Sequence, residues 1–458
     1  MANPLTRLFL DPAADDRARA ARKFQLSGDY RWWAVPLGVG VVLTALAFLG
    51  LLADEQRFFY AYLVGWVFCV SIAVGALFFV MIHHITRARW SVSIRRIPEL
   101  IAANFPLLAL LGIPLLFGLH DLYHWTHEDL YDPDGAHFDP ILAGKRGYLN
   151  VPFFLVRLAA YFLVWSFLGL RLYALSVRQD TEPSVEYTRK MRFWSGVGIP
   201  LTGLATAFAS YDLVMSLDPH WFSTMFGVYF WAGGWLGALA LITFLALLFR
   251  KAGYLEHVVT REHYHDMGKY LFGFVVFWAY IAFSQYMLIW YGDLPEETQW
   301  FVDRFTHGWQ SLSWALLIFH FALPFLILIL RTSKRVLPVL AFMCGWLLVM
   351  HWIDLFWQAM PTIMAEAGHT AMAQAAHGAE AAGAAAGTGH AVAYPIFDTA
   401  ELADVSSSAQ ARFAWADFAA WLGLFGVFVG ATLWRAGRHS LTPYNDPYFA
   451  DSVRFENY

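Results

Sequence analysis

Residues 58–82 read FFYAYLVGWVFCVSIAVGALFFVMI, a run of 25 positions without one charged side chain. About 20 apolar residues cross the ~30 Å hydrocarbon core of a bilayer as a helix. Hydrocarbon offers no water to backbone N–H and C=O groups, so such a run must satisfy them internally. Working outward, nine further stretches repeat the pattern, at 32–53, 98–119, 151–175, 193–216, 224–249, 270–292, 310–331, 336–357 and 413–434. The expected fold class is all-α: a polytopic membrane protein with ten transmembrane helices, numbered spans 1 to 10 in chain order.

The Lys and Arg residues set the orientation. Of 31, 24 fall in the N-terminal arm (1–31), the segments 83–97, 176–192 and 250–269, the turn between spans 8 and 9, and the C-terminal tail. The opposite connections hold five, and Arg157 and Arg171 lie within span 4. Basic residues near span ends stay cytoplasmic, so both termini are expected inside. Composition agrees: 59% of residues are apolar, 14% are charged, and the mean hydropathy is +0.47. A net charge of −4 carries no nucleic-acid signal. Cys69 and Cys344 both fall in mid-span, which gives neither a disulfide framework nor a thiolate metal site.

Two extramembrane segments stand apart. Residues 120–150 form an acidic, aromatic outer loop. Residues 358–412 form an Ala- and Gly-rich stretch with His369, His377 and His390, read as a low-complexity linker rather than a metal site. The tail PYNDPYFADSVRFENY has the look of a segment that packs on a partner subunit.

Ionisable groups inside hydrocarbon are costly and usually face a bundle interior with a partner. Arg157 lies roughly 10 Å deep in span 4 at 1.5 Å per residue, and Asp212 lies about one turn below the outer face in span 5. The two are expected to pair, either as a static lock or beside a proton path or ligand pocket. Later spans carry Tyr280, Ser284 and Gln285 (span 7), His320 (span 8), and His351 with Asp354 (span 9). Residues three or four apart share a helix face, so His351 and Asp354 are expected to hydrogen-bond to each other. His83 and His84 end span 2 at the inner rim, as interfacial anchors or as a proton entry. Only His307 and His320 approach the spacing of haem ligands, and no second pair matches them. No metal and no redox centre of its own are therefore expected of this chain.

The segments YDLVMSLDPHWFSTMFGVYFWAG (211–233) and MGKYLFGFVVFWAYIAFSQYMLIWYGDLPEETQWF (267–301) resemble signatures of the NrfD/PsrC-like membrane subunits of quinol-linked complexes. More narrowly they resemble the ActF family, the smaller of two such subunits in bacterial alternative complex III, a quinol:cytochrome c (or other acceptor) oxidoreductase. The resemblance implies two four-helix bundles (58–216 and 217–357), with peripheral helices at 32–57 and 413–434 and a cytoplasmic tail at 435–458. It implies a bacterial cytoplasmic (inner) membrane location. The implied partners are a paralogous quinol-binding subunit, a periplasmic iron–sulfur subunit, multihaem cytochromes c and a terminal oxidase. It places a quinone or quinol (menaquinone or ubiquinone) near the outer face of the first bundle. There this sequence offers His120, Asp121, His124, Arg157, Asp212, Asp218 and His220. The candidate proton path is His83, His84, Asp212, Tyr280, Ser284, Gln285, His320, His351 and Asp354. A structural anchor and a secondary transporter are the other classes. A transporter would place Gly/Pro interruptions at matching points of two repeats, and Pro200, Pro324 and Pro338 form no such pairing.

Overall fold

The computed structural model of the chain describes residues 25–26, 30–135, 137–306, 308–385 and 412–456, except for the side chains of 364–385. Among the described residues, ten helices are long and apolar enough to cross a membrane. Spans 1 to 5 are Ala34–Leu52, Glu55–Ile85, Arg96–Phe117, Val151–Thr181 and Val185–Leu217. Spans 6 to 10 are Phe226–Lys251, Arg261–Gly292, Trp309–Leu328, Leu337–Ile363 and Trp415–Ala436. Each overlaps its expected stretch. Several run longer because polar residues cap the helix beyond the apolar run. Asn150 accepts from Phe153 N–H, Ser184 from Glu186 N–H, and Asp54 from Arg57 N–H.

Span 2, the stretch that decides the class, is also the axis of the molecule. Its apolar window is wholly buried, and it packs against spans 3, 4, 5, 6, 9 and 10. Its crossing with span 6 is made close by small residues, which is how helices associate where lipid and Leu are equally apolar. A Cβ on Gly234 would lie 2.7 Å from the Ser71 carbonyl oxygen. Span 1 is mostly exposed, whereas span 10 is seated in the core, where Trp421 stacks on Trp352 of span 9 at 4.3 Å.

Spans 1 and 5 end in short 3₁₀ segments, and spans 3 and 8 depart further from a plain α-helix. Span 3 is interrupted after Ala102 and again after Leu111, with Pro106 and Pro114 in the segments that follow. Span 2 supplies donors to carbonyls near the second break: Trp66 Nε1 to Leu108 O at 2.7 Å and the Tyr62 hydroxyl to Leu111 O at 2.8 Å. Span 8 passes through a π-helical turn, Leu316–Ala322, that carries His320.

Two expectations need correction. Residues 358–412 are not a loop from their start, because the helix of span 9 continues as Leu337–Ala385. Alanine is the best helix former, so an Ala-rich stretch extends a helix it follows. The side chains of His369 and His377, and His390, His307 and residues 1–24, lie outside the described residues. The tail, expected on a partner, folds back onto its own chain. Arg95 pairs with Asp446 at 2.6 Å, Asn445 donates to Asp180 O at 2.6 Å, and the Ser452 hydroxyl donates to Trp90 O at 2.5 Å. Burial disfavours the charge on Arg95, but Asp446 and Glu99 outweigh it and hold its pKa up.

Candidate functional site

The first polar group lies toward the Val151 end of span 4, where spans 4 and 5 meet. Arg157 clamps Asp212 with both ends of its fork, Nε to Oδ2 at 2.8 Å and Nη2 to Oδ1 at 3.0 Å. The Tyr161 hydroxyl also donates to Asp212, at 2.7 Å. Arg157 Nη1 donates to Tyr148 O at 2.9 Å, and its guanidinium lies 3.8 Å from the Tyr148 ring centroid and 4.4 Å from that of Phe153. The expected pair is thus formed, buried, and clasped by the rings of Tyr148 and Phe153.

Beside it, spans 2 to 5 enclose an apolar crevice lined by Leu63, Trp66, Leu115, Tyr123, Phe154 and Leu213 among others. It measures about 10 Å³, room for about one water. None of the outer-loop candidates lines it. His120 stacks on His127 at 3.9 Å, the Asp121 carbonyl faces Gln56, and Asp218 accepts the backbone N–H groups of His220 and Trp221. His124 and His220 instead line an open cleft of about 480 Å³ together with Asp139. His220 Nε2 lies 2.5 Å from Asp139 Oδ2. Burial raises the Asp139 pKa, but the Leu142 and Ile141 N–H groups and His220 outweigh it, and the net shift is downward. Burial also lowers His124, with the neighbouring imidazoles His127 and His220 adding to it.

The second polar group lies among spans 2, 6, 7, 8 and 9. Asp354 accepts from the Tyr229 hydroxyl and, at 3.1 Å, from Trp278 Nε1. Its expected partner, His351, points elsewhere, with Nε2 2.9 Å from Ser71 Oγ. That hydroxyl gives its one hydrogen to Phe68 O at 2.9 Å. The imidazole must therefore donate through Nε2, a tautomer assigned from this network, which leaves Nδ1 as a bare acceptor. Nδ1 is buried without a partner. The space for this arrangement comes from span 6, where Gly233 and Gly237 lie one turn apart. A Cβ on Gly233 would meet His351 Cε1 at 3.0 Å and Asp354 Oδ2 at 3.4 Å, and one on Gly237 would meet His351 Cδ2 at 2.9 Å. His320 packs on Trp278 at 4.0 Å, and among the described residues both of its buried ring nitrogens are unpartnered. A π-helical turn often marks a functional position in a helix.

Further along span 9, past Asp354, lies Arg304, on the helix Pro295–Phe305 between spans 7 and 8. Pro361 lacks an N–H, so the Trp357 carbonyl one turn back loses its helical donor. Arg304 replaces it: Nε donates to Trp357 O at 3.2 Å, Nη2 to Gln358 O at 2.6 Å, and Nη1 to Trp300 O at 2.7 Å. The guanidinium lies 3.4 Å from the Trp300 ring centroid. Among the described residues no carboxylate forms an ion pair with it, and burial pulls its pKa down to about 9.

The remaining candidates do not join this file. Tyr280 is 62% exposed, on the outward face of span 7. Ser284 is half-buried, and Gln285 is buried but meets Ser223 at 3.3 Å. His83 and His84 are buried in the last turn of span 2. Residues 72–82 of span 2, all apolar, separate them from Ser71, an axial rise of roughly 18 Å. Sequence reasoning missed Ser71, Tyr161, Tyr229, Trp278 and Arg304. The legible signal was the Gly233/Gly237 spacing, which leaves a hollow on one helix face. Among the described residues no group of three or more His, Cys, Asp or Glu side chains is arranged to hold a metal. Compared with protein-family models and with curated proteins, the sequence has no match.

Proposed function

We propose that this chain is the proton-carrying membrane subunit of a respiratory quinol-linked oxidoreductase, of the NrfD/PsrC-like kind its 211–233 and 267–301 segments resemble. The observation that carries the reading is the buried file of Ser71, His351, Asp354 and Tyr229, with His320 beside it. Such groups are expensive inside a membrane and are retained where protons or ions pass. His351 Nδ1 is an acceptor without a partner among the described residues, and Asp354 is a carboxyl held by donors from Tyr229, Trp278 and Gln358, so a proton can rest on either without breaking the helix ladder. The file reaches outward to Arg304, while inward span 2 is apolar for roughly 18 Å. The reading is therefore an outer half-channel within the 217–357 bundle, working with the other bundle (58–216) in a bacterial cytoplasmic membrane with both termini inside. Electrons would pass through a paralogous quinol-binding subunit, an iron–sulfur protein and multihaem cytochromes c. The crevice in the 58–216 bundle admits a quinone ring only if Phe154 or Trp66 moves, so quinol oxidation is assigned to the paralogue.

The alternative of a structural anchor draws on the same apolar inner half, which gives protons no evident entry through this chain alone. Purification of the chain from its native membrane in a mild detergent separates the proposal from a transporter. Co-purification of haem c and iron–sulfur spectra in fixed ratio is expected. A chain that purifies alone and moves a solute in proteoliposomes would overturn the proposal.

A further inference from the structure

At the basic end of spans 1 and 10, away from both polar groups, a cavity of about 420 Å³ lies between the two helix ends. Its walls are Gln25, Leu26, Tyr30, Trp33, Trp434, Gly437 and Arg438. The mixture is amphipathic: two indoles, an apolar side chain, an amide, a phenol and a guanidinium. Indoles concentrate at the headgroup level of a bilayer. Arg438 lies over the Trp434 ring with its guanidinium 3.6 Å from the centroid, which holds the charge at the cavity wall. Arg438 has no ion pair among the described residues, and neither does Arg435 one turn earlier. Tyr30 is 8% exposed, and among the described residues its hydroxyl is buried without a hydrogen-bond partner.

A helix C-terminus by itself attracts cations, so the two arginines alone would need no ligand. It does not account for an amphipathic cavity beside them, walled by two indoles with the Arg438 guanidinium held over one of them. We infer that this cavity is a binding site for the phosphate headgroup of an anionic phospholipid. Arg438 would meet the phosphodiester, and Trp33 and Trp434 would flank the glycerol and upper acyl carbons. Span 1 is mostly exposed and held chiefly by span 10, so a lipid seated across both ends would tie the pair. This inference does not depend on the redox reading.

The test uses the full-length chain, washed in detergent and reconstituted into phosphatidylcholine nanodiscs doped with phosphatidylglycerol. Lipid retained on release into mild detergent is measured by native mass spectrometry. Wild type is expected to retain phosphatidylglycerol selectively. Arg438→Gln should retain about fivefold less, the worth of one basic residue at an anionic surface. Arg438→Lys should keep most of the retention, which separates loss of charge from loss of fold, and Lys190→Gln at an exposed inner site should match wild type. Equal retention by Arg438→Gln and wild type, or equal retention of phosphatidylcholine, would overturn the site. Displacement of the lipid by inorganic phosphate as readily as by phosphatidylglycerol would also overturn it, by showing a free-anion site instead.

Discussion

Asp212→Asn is the substitution whose cost the geometry defines most sharply. Asp212 takes three donors, two from Arg157 at 2.8 and 3.0 Å and one from Tyr161 at 2.7 Å, with both partners of the pair buried. Removing one member of such a pair leaves the other charge uncompensated, at a cost of about 3–5 kcal/mol. The Tyr148 and Phe153 rings over the guanidinium return part of this, on the order of 1–2 kcal/mol. Asparagine also keeps one acceptor oxygen, so the expected loss lies near the lower bound, about 3 kcal/mol. The double variant Arg157→Met/Asp212→Leu removes both charges and should cost much less than Asp212→Asn alone. Unfolding of the purified chain in mixed micelles by rising denaturing-detergent fraction measures all three. A loss below about 1 kcal/mol for Asp212→Asn would refute the reasoning, since that is the worth of an exposed pair. A double variant at least as unstable as the single one would refute it equally.

Four further outcomes follow from the same structure. Gly233→Ala should cost about 1–3 kcal/mol by pressing on His351 and Asp354, while Gly273→Ala, where a Cβ meets nothing within 4 Å, should be neutral or slightly stabilising; the same micelle titration compares them. Pro361→Ala restores the N–H for the Trp357 carbonyl, so Arg304→Gln should be less damaging in that background than in wild type, read as a coupling of about 0.5–3 kcal/mol in a double-mutant cycle. Asp139 is a carboxyl whose pKa folding lowers, so its contribution is full above its ordinary value of 3.8 and is lost as pH falls below it; hydrogen exchange over 137–142 should quicken only in that acidic window. Tyr280→Phe should leave assembly and proton movement of the complex unchanged in proteoliposomes, because Tyr280 faces outward, and a fall in proton movement would place it on the path after all.

The ten spans were legible because the bilayer imposes one rule on length and composition, and residues 58–82 meet it without ambiguity. The Arg157–Asp212 pair was legible because depth along a helix is simple arithmetic. The His351–Asp354 contact was not, because spacing on one helix shows which groups can meet but not what neighbouring helices offer. Ser71 on span 2 and Tyr229 on span 6 offered closer partners, and each residue turned to its own. Tyr280 and Gln285 illustrate the same limit: a five-residue offset on span 7 puts one outside and the other inside, and only the packing of span 7 decides which. The tail read as partner-seeking because polar and aromatic residues look alike whether their acceptor is Asp180 of the same chain or another protein. Arg304 escaped notice because its role depends on a proline 57 residues later, whose missing N–H is visible only once the helices are side by side.

The central claim is that protons use the buried file at Asp354. The most direct measurement is the number of protons released outside per electron transferred from quinol, in proteoliposomes holding the intact complex with wild-type or Asp354→Asn chain. Asparagine keeps the shape and an acceptor for Tyr229 but cannot carry a proton at this position. The account predicts preserved assembly and electron transfer with a reduced proton-to-electron ratio. An unchanged ratio in a fully assembled Asp354→Asn complex would contradict it.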